Sequence, residues 1–457
     1  MTHLGDWRIK GLAKTHGICC FLGTCWLLAA VARAEPVGVG DPFGTRLSAP
    51  STQHPEVVQA QARFDKQDIE GALTLLRNAY VRYGESHPRV MLARMYFAAN
   101  KRAEGRDQLE QAVVQEPNHP EPYLVCADLA YAERRYVDGA LLFERAGQAA
   151  SEFGGSEDTT RRYRIHAAAG NAAVAEKQFL WHKARRWLEE WIKLDASNAT
   201  AHKKLGRALF AVGLRKEAYG ELEAAVKLDA TMPPAAITFG RLYGETGDEE
   251  SAMKWMDHAV RKEPNSARAH LGVGQWLWER GRVAEAKAYA DQAVKLDENL
   301  ADAELLRGVV AYYLKDFPVA ESCFESVYLK YPANFTSGNY LALSLVAQED
   351  EAKRQRALEL AEVNKERDPD NAEATATLGW IYYQLGRNDE AETTLREMVD
   401  KGTVSADAAY YLAKVIEDKG AVDELKSLLQ IALASRGYFV HRDEARQWLA
   451  QLTGGAK

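Results

Sequence analysis

A glycine recurs every 34 residues in the middle of this 457-residue chain, and an alanine follows each of these glycines after twelve positions. The glycines are Gly206, Gly240, Gly274 and Gly308, and the alanines are Ala218, Ala252, Ala286 and Ala320. Small residues are needed where two helices cross with their backbones close together, because a larger side chain would separate them. The spacing therefore predicts a stacked array of one small helical unit.

Apolar residues follow the same period. With the glycines at position 8 of each unit, position 7 holds Leu205, Phe239 and Val273, and position 24 holds Leu222, Met256, Ala290 and Phe324. These positions indicate the core faces of a first and a second helix. Gly213, Gly247 and Gly281 stand between the two helices, where a left-handed residue is cheapest as glycine.

This pattern resembles the tetratricopeptide repeat, a helix-turn-helix unit whose closing proline stands here at Pro264 and Pro332. The resemblance implies an all-α fold: a right-handed α-solenoid of tetratricopeptide helix-turn-helix repeats with a C-terminal capping helix. The register extends to about eleven repeats, three at residues 53–152 and eight at residues 161–438. The glycine-rich, acidic segment 153–160 is predicted to be a flexible break between the two sets.

Two smaller features complete the organisation of the repeats. Gly308 and Gly379 are 71 residues apart rather than 68, and we expect the three extra residues to lengthen the charged turn at 348–354. Residues 439–457 are predicted to be the capping helix and tail, because Ala445, Trp448, Leu449 and Leu452 fall on one helical stripe.

The N-terminal segment indicates export. Basic residues precede an apolar run from Gly17 to Ala32, and Ala32-Arg33-Ala34 is a small-x-small cleavage site. We therefore expect residues 1–34 to be a signal peptide cleaved after Ala34, which would leave a periplasmic or secreted chain. Retention as a membrane anchor is the less favoured alternative, because the apolar run is short for a span. Residues 35–52 have no apolar period and are predicted to be a disordered linker.

Charge and motif content argue against several function classes. The chain has 58 basic and 65 acidic residues, and this net charge of −7 disfavours nucleic acid as a partner. It contains no His-Glu-x-x-His, no Cys-x-x-Cys, no Gly-x-Ser-x-Gly and no phosphate-binding glycine loop. The repeats occupy nearly the whole chain, so we expect no catalytic residues, no metal site, no cofactor and no enzyme activity.

In tetratricopeptide proteins, positions 2, 5, 9, 12 and 13 of each first helix line a concave face, and the resemblance implies that a partner binds there. The basic half of this predicted groove holds Arg94, Lys203, Arg207 and Arg241. The aromatic half holds Trp278, Tyr312, Tyr313, Asn339, Trp380, Tyr383 and Tyr410. Such a groove suits an extended peptide with an acidic part and an apolar part. The aromatic residues are equally consistent with packing between repeats.

The function expected from the resemblance is that of a non-catalytic protein–protein interaction scaffold. Combined with export, it suggests a role in envelope assembly or a secretion system, with a partner protein or an extended peptide in the concave groove. Two alternatives stay open. The aromatic row would also suit a polysaccharide, as in a carbohydrate-binding solenoid of exopolysaccharide export, and the chain could be the regulatory subunit of an enzyme complex. The sequence leaves the oligomeric state undetermined.

Overall fold

The computed structural model describes residues 43, 54–84, 86–400, 404–434 and 439–454. The predicted signal peptide, residues 1–34, lies outside the described residues. The predicted linker at 35–52 lies outside them as well, with the exception of Phe43.

Every regular element of the described residues is a helix, which is the predicted all-α class. The helices are α1 (Pro55–Asp65), α2 (Ile69–Tyr83), α3 (Pro88–Ala98), α4 (Arg102–Gln115), α5 (Pro120–Ala132), α6 (Tyr136–Glu152), α7 (Glu157–Lys177), α8 (Trp181–Leu194), α9 (Ala199–Ala211), α10 (Arg215–Leu228), α11 (Ala235–Glu245), α12 (Glu249–Lys262), α13 (Ala267–Glu279), α14 (Val283–Leu296), α15 (Ala301–Tyr313), α16 (Phe317–Lys330), α17 (Phe335–Val346), α18 (Glu351–Arg367), α19 (Ala372–Gln384), α20 (Asn388–Asp400), α21 (Ala406–Val415), α22 (Val422–Ala434) and α23 (Arg442–Gly454). A short 3₁₀ turn, Glu417–Lys419, follows α21.

The chain divides into two compact units, an N-terminal unit at residues 32–273 and a C-terminal unit at residues 274–457. Within each unit, helices pack in consecutive pairs, such as α9 with α10 and α15 with α16. Neighbouring pairs then pack on each other, as α6 does on α7 and α16 on α17. Helix α23 follows the last pair and packs on α22. This arrangement is an all-α solenoid of helix pairs closed by a C-terminal helix.

The recurring glycines lie where paired helices cross. A Cβ atom on Gly206 would stand 2.8 Å from Cγ of Leu222 and 3.0 Å from the carbonyl oxygen of Ala218. A Cβ atom on Gly379 would stand 2.5 Å from Cγ of Leu395. The four recurring alanines are fully buried. Close backbone approach therefore explains the small residues, as the spacing predicts.

In nine of the helix pairs, the turn between the two helices contains a residue with a positive φ angle. Gly213, Gly247, Gly281 and Gly386 fill this position with φ between 72° and 90°. Five other pairs place a side chain there, with φ between 58° and 63°: Gln67, Asn100, Arg134, Phe179 and Lys315. An L residue in this conformation carries steric strain that glycine avoids.

Two predicted boundaries differ from the structure. Helix α7 begins at Glu157, so half of the predicted break at 153–160 is helical. The Thr159 amide donates to Oγ of Ser156 at 3.1 Å, and two acidic residues in the first turn favour a helix start. The three extra residues of the ninth pair lengthen a helix rather than the turn, because α18 has 17 residues where α10 has 14.

Phe43 is buried in the N-terminal unit, although it belongs to the predicted disordered linker. Its ring centroid lies 5.3 Å from that of Tyr131 on α5 and 5.6 Å from that of Phe143 on α6, both in edge contacts. Phe43 therefore packs against α5 and α6, and such an isolated contact leaves no period in the sequence.

Candidate interaction surface

The predicted site residues all lie on the first helix of a pair. The basic residues lie in the N-terminal unit, on α3, α9 and α11, and the aromatic residues lie in the C-terminal unit, on α13, α15, α19 and α21, with Asn339 on α17. The two sets are described separately because they belong to different units.

Three of the four predicted basic residues, Lys203, Arg207 and Arg241, lie near one another. Lys203 and Arg207 are one turn apart on α9, and their helix buries Leu205, Ala208 and Leu209 on its other side. Arg241 lies on α11 and acts electrostatically on Lys203. With Lys204, whose charge also acts on Lys203, these residues form what we call the basic surface: Lys203, Lys204, Arg207 and Arg241.

Lys203 is the least compensated charge of the basic surface. Within the described part of the chain, no acidic side chain lies at ion-pair distance from its ammonium group. Loss of hydration between the helices lowers the pKa of Lys203, and the charges of Lys204, Arg207 and Arg241 lower it further. The side chain is nevertheless exposed to solvent, so a ligand can reach it.

The neighbours of Lys203 have acidic partners. Nη2 of Arg207 lies 2.7 Å from Glu245, and both side chains are half exposed. Nζ of Lys204 lies 2.9 Å from Glu176. Exposed ion pairs of this kind contribute about 0 to 1 kcal/mol, so a competing carboxylate can replace one at small cost.

Arg94 has a separate, structural environment. Its guanidinium lies 3.2 Å from Glu121, a carboxylate that is almost fully buried. The same carboxylate accepts hydrogen bonds from the Ser86 hydroxyl and from the His87 amide. A buried carboxylate needs such partners, so the contact of Arg94 with Glu121 stabilises the N-terminal unit.

Four residues of the predicted aromatic half are interior side chains of the C-terminal unit. The exposed fractions of Trp278, Tyr312, Asn339 and Tyr410 are 9%, 5%, 4% and 1%. The ring of Tyr312 contacts those of Tyr313 and Tyr340, at centroid distances of 5.6 and 5.5 Å. Burial raises the pKa of Tyr312 well above its ordinary value. These side chains pack between helices, which is the second of the two interpretations open from the sequence.

Tyr410 also joins the last pair to α23. Its hydroxyl donates to Oε2 of Glu444 at 2.8 Å, and its ring stacks on His441 at 4.5 Å. Both partners lie at the start of the C-terminal helix. The contact explains why Tyr410 is buried on the face where the register places ligand-binding residues.

Tyr313, Trp380 and Tyr383 are the more accessible members of the aromatic set, and each is half-buried. The indole of Trp380 stacks on Tyr383 at 5.3 Å and on Tyr411 at 4.3 Å. Its ring is therefore already engaged by tyrosines of the same unit.

Two acidic residues beside these rings were missed by the sequence reasoning. Glu373 and Asp407 stand at position 2 of the first helix in their pairs, on α19 and α21. Burial raises the pKa of both carboxyl groups, that of Asp407 to about 7. Position 2 belongs to the predicted ligand-binding set, but acidic residues are common at helix starts, so the two carried no distinct signal.

Other classes of site were also sought among the described residues. In those residues no group of three or more histidine, cysteine, aspartate or glutamate side chains is placed to hold a metal ion. Cys126 and Cys323 are free thiols, and burial raises their pKa to about 11 and about 12. A membrane-crossing helix is likewise not found in the described part, where none combines the needed length and apolar character.

Comparisons with solved structures give distant similarities. They include a thermophilic tetratricopeptide repeat protein from Thermus thermophilus (19% identity, covering 41% of this chain and 99% of that one, TM-score 0.36) and yeast Tom70 (13%, 87% and 95%, TM-score 0.36). A tetratricopeptide repeat protein from Parabacteroides merdae has 12% identity, covering 63% and 98%, with a TM-score of 0.37. No curated protein matches the chain.

Two family models match the chain, and both describe the tetratricopeptide repeat. One covers residues 237–301 and the other residues 350–415. Proteins built from this repeat are in general non-catalytic scaffolds that bind proteins or peptides. The chain therefore contains tetratricopeptide repeats, at residues 237–301 and 350–415.

Proposed function

We propose that this chain is an exported, non-catalytic scaffold that binds an acidic segment of a partner protein on its basic surface. The observation that carries the proposal is the environment of Lys203. Its exposed ammonium group stands among Lys204, Arg207 and Arg241 without an acidic partner at ion-pair distance among the described residues.

Electrostatics gives the reason for an acidic ligand. Cations gathered on one surface repel each other, and a bound carboxylate removes part of that repulsion while it gains charge-assisted hydrogen bonds. The existing pair between Arg207 and Glu245 is half exposed, so its loss on ligand binding costs little. Complementary charge also speeds association and suppresses wrong partners.

The burial of the aromatic set narrows the choice of ligand. A peptide with an apolar part or a polysaccharide would need open rings, but Trp278 is buried and Trp380 stacks on two tyrosines. The acidic part of the predicted ligand is therefore the better supported one.

The proposal also places the protein outside the cytoplasm. The basic residues, apolar run and cleavage motif of residues 1–34 support export, and the partner would then belong to an envelope assembly or secretion system. Sequencing the N-terminus of the protein from its own cells tests this step. The expected first residue is Glu35, and an intact N-terminal segment would contradict cleavage.

A binding titration tests the ligand. We would follow the fluorescence anisotropy of a labelled peptide of alternating aspartate and glycine, with an asparagine version as the neutral control. The triple variant Lys203→Ser, Arg207→Ser and Arg241→Ser is expected to weaken binding about tenfold or more, since each lost charge contact is worth roughly 0.5 to 1 kcal/mol.

A matched control variant shows whether the basic surface itself, or only the net charge of the chain, determines peptide binding. Lys183, Lys216 and Lys227 are exposed lysines on α8 and α10 of the same unit, and replacing them with serine removes the same three charges. Native-like binding by this control supports the basic surface. Equal losses in the two triple variants, or equal binding of the neutral peptide, would contradict it.

A further inference from the structure

We propose that the turn between α7 and α8 binds a membrane surface that carries anionic lipids. Two apolar side chains enter the lipid layer, and three cations beside them contact the lipid phosphates. We call these five residues the lipid-binding turn: Lys177, Phe179, Leu180, Lys183 and Arg186. The inference goes beyond the proposed function, because none of these residues belongs to the basic surface and the ligand is a lipid rather than a protein.

The apolar part of the lipid-binding turn is exposed to solvent. Phe179 is 75% exposed and Leu180 is 41% exposed. Two hydrogen bonds fix the backbone that carries them. The Phe179 amide donates to the carbonyl oxygen of Glu176 at 3.1 Å, and the Leu180 amide donates to that of Ala175 at 2.9 Å. The fold therefore holds two adjacent large apolar side chains in water, and their burial against a ligand would be favourable.

A phenylalanine at position 179 is costly for the fold. Its φ angle is 58°, a left-handed conformation in which an L residue carries steric strain. Eight other turns have a positive φ at this position and hold glycine or a polar residue there: Gln67, Asn100, Arg134, Gly213, Gly247, Gly281, Lys315 and Gly386. Glycine at position 179 would relieve the strain and remove exposed apolar area. Strain that the fold does not require points to a functional role for the phenylalanine.

Cations flank the two apolar residues. Lys177 ends α7, Lys183 lies in the first turn of α8 and Arg186 lies one turn later, and all three are exposed. Among the described residues, no acidic side chain lies at ion-pair distance from any of the three. Residues 177–187 contain four basic residues and no acidic one, although the whole chain has a net charge of −7. Unpaired positive charge beside exposed apolar side chains favours an anionic ligand with an apolar part.

A lipid surface fits this combination better than a polypeptide does. A groove for a polypeptide encloses its apolar residues, whereas Phe179 lies in an exposed turn between two helices. A lipid layer needs no enclosing walls, because its acyl chains surround any side chain that enters. Apolar side chains bind at the boundary between headgroups and acyl chains, and lysine and arginine are attracted to anionic headgroups. Charge complementarity therefore assigns an anionic membrane as the occupant.

Two tryptophans connect the lipid-binding turn to the hydrophobic core. The ring centroid of Trp181 lies 6.1 Å from that of Phe179, in an edge contact. Cζ of Arg186 lies 5.4 Å from the ring centroid of Trp187. Both indoles are partly buried and pack against the core of the N-terminal unit. Because the turn is supported in this way, Phe179 and Leu180 can enter a lipid layer without local unfolding.

The test is co-sedimentation with vesicles of two compositions, neutral phosphatidylcholine alone and an equal mixture of phosphatidylcholine with anionic phosphatidylglycerol. The chain used starts at Glu35. It keeps every residue that the structure describes and lacks the apolar run at 17–32, which could bind lipid by itself. We expect binding to the mixed vesicles at low salt, weaker binding at high salt, and much weaker binding to the neutral vesicles.

The variant Phe179→Gly distinguishes lipid binding from folding. Glycine accepts the positive φ, so we expect this variant to be at least as stable as the native chain in urea unfolding. Its affinity for the mixed vesicles should nevertheless fall about tenfold, because the ring is the largest apolar group of the turn. The double variant Lys177→Gln with Arg186→Gln should also weaken binding about tenfold and should reduce its dependence on salt.

Two matched controls remove similar groups elsewhere in the same unit. Leu141→Gln replaces an apolar residue of α6 that is 63% exposed, and Lys216→Gln with Lys227→Gln replaces two exposed lysines of α10. Near-native vesicle affinity in both controls, with weaker affinity in Phe179→Gly, supports the proposal.

Three results would overturn the lipid-binding turn. They are equal binding of the native chain and Phe179→Gly to the mixed vesicles, equal binding of the native chain to both kinds of vesicle, and no vesicle binding at all. An oligomer that sedimentation velocity detects in the native chain and not in Phe179→Gly, without vesicle binding, would instead assign the turn to a contact between copies of the chain. The triple variant of the basic surface should keep vesicle binding, so the two proposals fail independently.

Discussion

Nζ of Lys315 lies 2.9 Å from Oε1 of Glu444, although 129 positions separate the two residues. Lys315 stands in the turn between α15 and α16, and Glu444 in the first turn of α23. The same carboxylate accepts a hydrogen bond from Tyr410 on α21. Within the C-terminal unit, α23 therefore does more than cover the last pair, because it also holds a turn three pairs earlier.

Two replacements of Lys315 distinguish the contribution of this ion pair to stability from the cost of backbone strain at the turn. Lys315 has a φ of 61° at the turn position that Gly281 fills one period earlier. Lys315→Ala loses the pair and keeps the strain, whereas Lys315→Gly loses the pair and relieves the strain. We expect the alanine variant to be less stable than the glycine variant by about 1 kcal/mol in urea unfolding. Equal stabilities would contradict the strain at this turn.

Glu444 is expected to make the stability of the C-terminal unit depend on acid. Burial alone would raise the pKa of Glu444, but hydrogen bonds from Lys315 and Tyr410 and the nearby His441 outweigh it and hold the value at about 2. A lowered folded pKa stabilises the fold above the ordinary value of 4.5, and this stabilisation is lost as pH falls toward 2.

The variant Glu444→Gln tests that dependence. The carboxylate side chain is 48% exposed, so we expect the variant to lose only about 1 kcal/mol at pH 7. The Tm difference from the native chain should stay constant above pH 5 and shrink as pH falls toward 2. A difference that persists at pH 2 would mean that packing, and not charge, is responsible.

Asp407 is expected to change stability with pH in the opposite direction to Glu444. Its pKa of about 7 exceeds the ordinary 3.8, so the protonated form favours folding and stability falls as pH rises between these values. Asp407→Asn removes this loss. At pH 8 we expect the variant to have a higher Tm than the native chain, and a free energy of unfolding that is greater by at most about 4 kcal/mol. The gain should be smaller at pH 4. The same gain at both pH values would contradict desolvation of the carboxyl group.

Phe43 is expected to stabilise the N-terminal unit from outside the repeats. Phe43→Ala removes an aromatic ring buried between Tyr131 and Phe143. Full loss of a core phenylalanine costs about 3 to 5 kcal/mol, and a chain segment that can relax will lose less. Thermal unfolding of the variant, compared with a chain that starts at residue 53, checks this. Identical Tm values for the native chain and Phe43→Ala would show that the ring contributes nothing.

The sequence predicted the parts of the fold that depend on neighbouring turns of one pair. Gly206 and Ala218 lie twelve positions apart because one crossing requires both, so their spacing reports the geometry directly. The same holds for the turn at Gly213, where the positive φ is local.

Contacts between distant pairs could not be predicted in this way. Tyr312 on α15 and Tyr411 on α21 are both buried, although the register places Tyr312 on a ligand-binding face. A period shows which face a side chain occupies, but not how closely successive pairs of a unit approach. Burial of the aromatic set and desolvation of Asp407 both follow from that approach, so they required the structure.

The central claim is that the basic surface holds a partner protein. The most direct measurement is affinity purification from the protein's own envelope extract, with quantitative mass spectrometry of what is retained. The native chain, the triple variant of the basic surface and the triple lysine control on α8 and α10 would be compared. The account predicts a partner with an acidic segment that the native chain and the control retain and the basic-surface variant loses. Equal recovery of every retained protein by all three chains would contradict it.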